Sequence, residues 1–215
     1  MSVANVSHLS PEPAHQPGPD VDLVVWRRAM PAALADWIDL LPPECIPSGR
    51  FLLEPSRTPS LLSALMEDTG TPRGPASDLF IQDVTELASR FAALLETRRV
   101  DLRLDRIDDD ACWKFHCDNV PSRLLCTYRG PGTQYVPACY RREALRQQRS
   151  YAGPLLQYPR FTAVLLRGSL LPGVKGVLHR SPPMSGCGET RLLLCLNTPS
   201  ATSPPPWTGD GIRAA

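Results

Sequence analysis

The apolar positions change their period once along the chain. Up to about residue 99 they repeat mostly at helical spacing, and beyond it they alternate. Residues 21–29 (VDLVVWRRA) read as a short strand, rich in Val and carrying Trp26. Pro31 then opens a helix, PAALADWIDLL, in the first turn where its missing N–H costs nothing. Pro42 and Pro43 end it. Residues 44–76 are mixed, with a short helix expected over 59–67 and a loop over 69–76. The clearest helix is expected over 78–98. Ser77 stands as its N-cap, Asp78 suits its first turn, and Arg98 and Arg99 suit its last. Val84, Leu87, Phe91, Leu94 and Leu95 form one stripe that should lie against a sheet.

From residue 100 the pattern predicts strands at VDLRLDRI (100–107), ACWKFHCD (111–118), RLLCTYRG (123–130), FTAVLLRGSL (161–170), GVLHRSPP (176–183) and ETRLLLCLN (189–197). GPGT (130–133) reads as a turn, since it lacks the Lys and helix start of a phosphate loop. RREALRQQRS (141–150) reads as a short surface helix. The expected fold class is α+β, with N-terminal helices (21–99) packed on a double-stranded β-helix, that is, a cupin-like jelly roll.

Composition trims this picture. The chain has 24 Pro and 14 Gly in 215 residues, and many of them fall in residues 1–20 and 198–215. Neither stretch has an apolar run to offset the entropy of ordering, so both are expected to be disordered tails. Residues 21–197 then form a single domain. No apolar run is long enough to span a membrane, and the first 20 residues lack a secretory signal, so a cytoplasmic location is expected. With 23 basic and 22 acidic residues, no general nucleic-acid binding is expected. Seven Cys without CxxC spacing point to reduced thiols. The oligomeric state is open.

Removing the tails leaves two histidines, His116 and His179. His116 and Asp118 are two apart on an expected strand, so they point to one face together with Cys112 and Lys114, while Trp113, Phe115 and Cys117 face away. His179 follows on a distant strand that a jelly roll brings alongside. Two His and one carboxylate make the facial triad of non-haem Fe(II) oxygenases. Arg191, on the next expected strand, offers a bidentate partner for a carboxylate. Tyr128 offers a hydrogen bond to a co-substrate carboxylate.

The order H-x-D, His, Arg resembles the 2-oxoglutarate/Fe(II)-dependent dioxygenases over roughly residues 100–197. The resemblance implies His116, Asp118 and His179 as iron ligands and Arg191 as the anchor of the far carboxylate of 2-oxoglutarate. A longer set of runs, FHCDNVPSRLLCTYRGPGT (115–133), VLLRGSL (164–170) and HRSPP…ETRLLL (179–194), resembles a bacterial family, domain of unknown function 1826. That resemblance implies no activity. It does imply a role in metal shortage, since its members often sit beside zinc-homeostasis genes.

Other readings stand beside the oxygenase. Cys112, His116, Cys117 and Cys126 lie within 15 residues, and Cys187 follows His179 by eight, which makes zinc the rival metal. A non-catalytic cupin-like metal-binding accessory protein would use the same three ligands for zinc or iron. An interaction module would leave His116 and Asp118 in ordinary polar contacts. An oxygenase's substrate, small molecule or protein, is not written in the sequence.

Overall fold

The structure is a computed structural model that describes residues 6–9, 22–209 and 211–212. It is a mixed helix and antiparallel-sheet fold. A strand β1 (Val6–Leu9) pairs in parallel with β2 (Leu23–Trp26). The helices α1 (Ala32–Leu40), α2 (Thr58–Asp68) and α3 (Pro75–Leu94) follow, with β3 (Gly49–Leu53) between the first two. Then come β4 (Val100–Ile107), β5 (Ser122–Arg129), β6 (Gln134–Tyr135), α4 (Arg141–Gln147), β7 (Leu156–Gln157), β8 (Ala163–Arg167), β9 (His179–Arg180) and β10 (Arg191–Asn197).

Seven strands form one sheet in the order β1-β2-β8-β5-β10-β4-β3, and three form a second in the order β7-β6-β9. Every pair except β1–β2 is antiparallel. His116 extends the small sheet by one bridge. It exchanges two backbone hydrogen bonds with His179, at 2.9 and 3.0 Å.

Strand parity builds the layers. Leu102 and Leu104 on β4, Leu124, Cys126 and Tyr128 on β5, and Leu192, Leu194 and Leu196 on β10 face one way and bury against α1, α2 and α3. The helices answer with Ile38, Leu62, Phe80, Leu87 and Phe91. Ile107, Leu125, Leu193 and Cys195 face the other way, toward Tyr135, Val177 and Met184 around the small sheet. The outer face of the small sheet is closed by Phe115, Val136, Ala144, Tyr151 and Leu178, with α4 as the lid. Because the large sheet is covered on both sides, β10 is buried at all seven positions.

Several expectations change. The strand expected over 111–118 shrinks to the single bridge at His116, because Cys112 sits at φ 56° and breaks the extended run. Cys112 therefore does not continue a strand face with His116 and Asp118. The major helix begins three residues early. Gly74 is its N-cap, and Ser77 lies inside the first turn, where it accepts from the Gly74 N–H at 2.9 Å and donates to the Gly74 carbonyl at 2.7 Å. Residues 49–53, within a stretch read as mixed, form an edge strand.

The expected N-terminal tail falls largely outside the described residues, but 6–9 pair as β1. The stretch after Asn197, expected to be disordered, folds back at 206–207. There the Trp207 N–H donates to the Leu52 carbonyl at 2.8 Å and Arg57 lies 5.6 Å above the indole. One large aromatic side chain with a core edge to cover outweighs the Pro-rich composition around it.

Candidate metal centre

His116 and His179 face each other across the bridge, with ring centroids 4.6 Å apart. Asp118 lies between their ends. Its Oδ1 is 3.7 Å from His116 Nε2, and its Oδ2 is 3.4 Å from His179 Nε2. One potential ligand atom from each residue lies within 4.8 Å of the other two. Among the described residues, no other group of three His, Cys, Asp or Glu converges this way.

The backbone fixes each group. Close packing holds Asp118 where the chain leaves the bridge. Ser169 N–H and Oγ both donate to the Asp118 carbonyl, at 2.8 and 3.0 Å. Gly168 lies so close that an added Cβ would stand 1.9 Å from the Val120 carbonyl oxygen, which leaves glycine as the fitting residue. Each imidazole is oriented through Nδ1, which lies 2.8 Å from the Lys114 carbonyl in His116 and 2.9 Å from the Val177 carbonyl in His179. A carbonyl only accepts, so each Nδ1 carries the proton. In a neutral ring each Nε2 then presents a lone pair toward Asp118, the tautomer that metal-binding histidines adopt.

The electrostatics of this arrangement ask for a cation. Arg123 donates to Asp118 Oδ1 and, at 2.7 Å, to Asn197 Oδ1. Asp118 Oδ2 is buried and has no hydrogen-bond partner. Burial lowers the His179 pKa to about 4, against the pull of Asp118, so near neutral pH an unprotonated Nε2 faces an unpartnered carboxylate oxygen. A metal ion between them satisfies both, so the donor set fits one.

The same burial predicts a pH dependence. The unfolded chain protonates His179 near pH 6.5 and the folded chain only near pH 4. Between these values the unfolded state binds more protons, so the stability of the metal-free protein falls as pH drops through that window. Urea midpoints measured from pH 7.5 to 4 should show this decline, with a shallower slope in His179→Gln.

Arg191 is fully buried. Its Nε donates to the Pro131 carbonyl at 2.8 Å, and its two other nitrogens donate to the hydroxyls of Ser181 (3.1 Å), Thr127 (3.1 Å) and Thr133 (2.6 Å). Among the described residues, no carboxylate lies within ion-pair distance of it. Burial alone lowers its pKa to about 10. Thr133 and Ser181 also line a cavity of about 350 Å³ that reaches His116, His179 and Arg123, walled by Ile107, Leu125 and Leu193. Ser181 lies two residues beyond His179, on the same side and about 6.6 Å along an extended chain.

Tyr128 is not in this site. Strand parity turns it to the helix side, where its hydroxyl donates to Asp83, a residue also held by Arg28. The neighbouring Thr127 takes the cavity side instead. Tyr128→Phe should therefore leave a buried Asp83 oxygen short of a donor and cost about 1–3 kcal/mol. Metal affinity in a calorimetric titration should be unchanged.

The sequence reading assigns no role to Arg123, Thr127 or Thr133. The signal for them is strand parity on β5 and the turn after it. The thiols of the rival zinc reading do not converge. Cys126 is buried on the helix side beside Arg28, Cys117 contacts the Gly176 carbonyl, and Cys187 contacts the Met184 carbonyl. Among the described residues, no helix is long and apolar enough to cross a membrane.

The protein family described as "Protein of unknown function (DUF1826)" matches residues 14–197. No curated protein is similar to the chain. Among solved structures, AviO1 from Streptomyces viridochromogenes Tue57 aligns at 16% identity and TM-score 0.32 over 62% of this chain and 65% of that one. The chain thus spans slightly less than two-thirds of AviO1. HygX from Streptomyces hygroscopicus, with nickel and 2-oxoglutarate bound, aligns at 11% identity and TM-score 0.40 over 85% of this chain and 84% of that one. SnoK, a non-haem alpha-ketoglutarate-dependent carbocyclase from nogalamycin biosynthesis, aligns at 9% identity and TM-score 0.33 over 90% of each chain.

Proposed function

The chain belongs to the DUF1826 family, and from that footing we propose that it is a non-haem Fe(II) oxygenase that consumes 2-oxoglutarate. The observation that carries the reading is one cavity lined both by His116 and His179 of the His-His-Asp set and by Thr133 and Ser181, the hydroxyls that hold a buried guanidinium without a carboxylate. A metal store needs the first and has no use for the second. The strand order supports the double-stranded β-helix. β8-β5-β10-β4 stack against β7-β6-β9 and the His116 bridge, and from β7 to β10 consecutive strands alternate between the two sheets.

His116, Asp118 and His179 would hold the metal through two nitrogens and one oxygen and leave its far side open. When bound, Fe(II) supplies the activation of O₂ and of the 2-oxo acid. The chain's own residues do the rest. Arg123 keeps one Asp118 oxygen engaged and so aims the other. Thr133 and Ser181 accept bonds from Arg191 and keep their own O–H groups for an anion in the cavity. Together the three would hold the far carboxylate of 2-oxoglutarate. Ile107, Leu125 and Leu193 form the apolar part of the cavity wall and would keep water from it there.

Anaerobic Fe(II) loading followed by exposure to O₂ and 2-oxoglutarate tests this. Succinate formed by the wild type and absent from His179→Ala supports the oxygenase. Firm zinc retention with no succinate from the iron form would replace it with the metal-binding accessory reading.

A further inference from the structure

A second cavity, of about 290 Å³, lies on the helix side of the large sheet, between the end of β2 and α3. It shares no lining residue with the metal cavity. Trp26, Met30 and Leu87 supply apolar wall. The guanidiniums of Arg27, Arg28 and Arg90 line it with two carboxylates, Asp83 and Glu86. Both carboxylates are already engaged. Asp83 accepts from Arg28 on one oxygen and from the Tyr128 hydroxyl on the other, and Glu86 pairs with Arg90 at 2.5 Å. Arg28 is engaged through every nitrogen, its other partners being the Phe161 carbonyl at 3.0 Å and Cys126 Sγ at 3.2 Å. Arg27 is exposed and makes no hydrogen bond or ion pair among the described residues. Trp26 is only 4% exposed, and its buried indole N–H has no acceptor. A buried donor left unpaired is costly, so such groups are rare and mark places where something else binds. The unpartnered Asp118 oxygen marks the metal centre in the same way.

We propose that this second cavity binds a small organic carboxylate with an apolar body, an aryl or short alkyl acid. The unmatched groups set the class. The orphaned indole N–H requires an acceptor, and the one guanidinium without a counter-charge favours an acceptor that is negative. A carboxylate meets both needs with its two oxygens. Trp26, Met30 and Leu87 offer contact to a ring or chain, which a bare inorganic anion would leave unused. The volume lies near the lower end of small-molecule sites, about 300 Å³, which suits a short acid and excludes a long-chain lipid. The proposal stands without the oxygenase reading. The cavity lies across the sheet from the metal centre, and binding there needs no metal.

The test is a titration of the nitrogen-15-labelled, metal-free full chain with phenylacetate and with octanoate, followed through the indole N–H resonances of its four tryptophans. The resonance missing from W26F belongs to Trp26. Should W26F fail to fold, sequential assignment identifies that resonance, and R27E carries the comparison of affinities. At least one of the two acids should move the Trp26 proton downfield, as an N–H does when it gains an acceptor. Phenylacetamide, of the same shape but without the charge, should bind at least severalfold more weakly. R27E should weaken binding about 5-fold with an unchanged melting temperature, the upper range for a solvent-exposed ion pair. Excess 2-oxoglutarate should leave the acid in place. Neither acid binding at millimolar concentration, a Trp26 resonance that stays put, or equal affinity in R27E would each overturn the proposal. Inorganic phosphate binding as tightly as the acids would overturn the apolar body, and displacement by 2-oxoglutarate would move the acid to the metal cavity.

Discussion

Asp118→Ala should lower metal affinity at least 100-fold. Loss of a residue that only orients a ligand typically costs 10–100-fold, and here a ligand itself is removed. The variant loses the charge that makes two neutral imidazoles into a divalent-cation site. It also leaves His116 and His179 held by the Lys114 and Val177 carbonyls, so the remaining donors stay in place. Asp118→Asn keeps the shape and an oxygen, and should lose nearly as much, because the amide carries no charge. Calorimetric titration with Co(II) or Fe(II), the latter without O₂, measures the effect. Wild-type affinity in Asp118→Ala would remove the metal centre from this account.

Arg191→Leu should abolish the stabilisation of the metal-loaded protein by 2-oxoglutarate. Truncating one member of a buried, hydrogen-bonded charge pair costs about 2–5 kcal/mol, a factor of about 30 to several thousand in affinity. The effect on the free protein is separate. Burial without a carboxylate disfavours the Arg191 charge, which Leu relieves, but Leu is shorter than Arg, leaves the guanidinium's space empty and strands the hydroxyls of Thr127, Thr133 and Ser181. A thermal melt with and without 2-oxoglutarate separates the two effects. The wild type should gain a shift that Arg191→Leu lacks. An equal shift in both would place the anion elsewhere in the cavity.

Much of this site was legible because its chemistry sits on residues that are rare in the chain. Two histidines outside the terminal stretches, one carboxylate two residues from the first, and an arginine after the second made a pattern that composition could not blur. The Tyr128 expectation failed for a reason of one residue. On a strand covered on both sides, Thr127 and Tyr128 are equally buried and face opposite layers, and burial alone does not say which layer holds the site. The strand over 111–118 failed because alternation continues through a turn that a positive φ at Cys112 interrupts.

The sequence by itself determined the main helices and most of the large-sheet strands, the switch from helical to alternating period, and the residues able to bind a metal. These follow from local preference and from which side chains carry lone pairs or charge. Only the tertiary structure decided that His116 and His179, 63 positions apart, share one bridge. It alone decided that Asp118 keeps an unpartnered oxygen, and that Arg191 is buried among hydroxyls instead of lying at a strand edge. Such facts depend on which strands pair and which layers cover them. Pairing is settled by the burial of the whole set of strands at once, and no single stretch of the chain contains it.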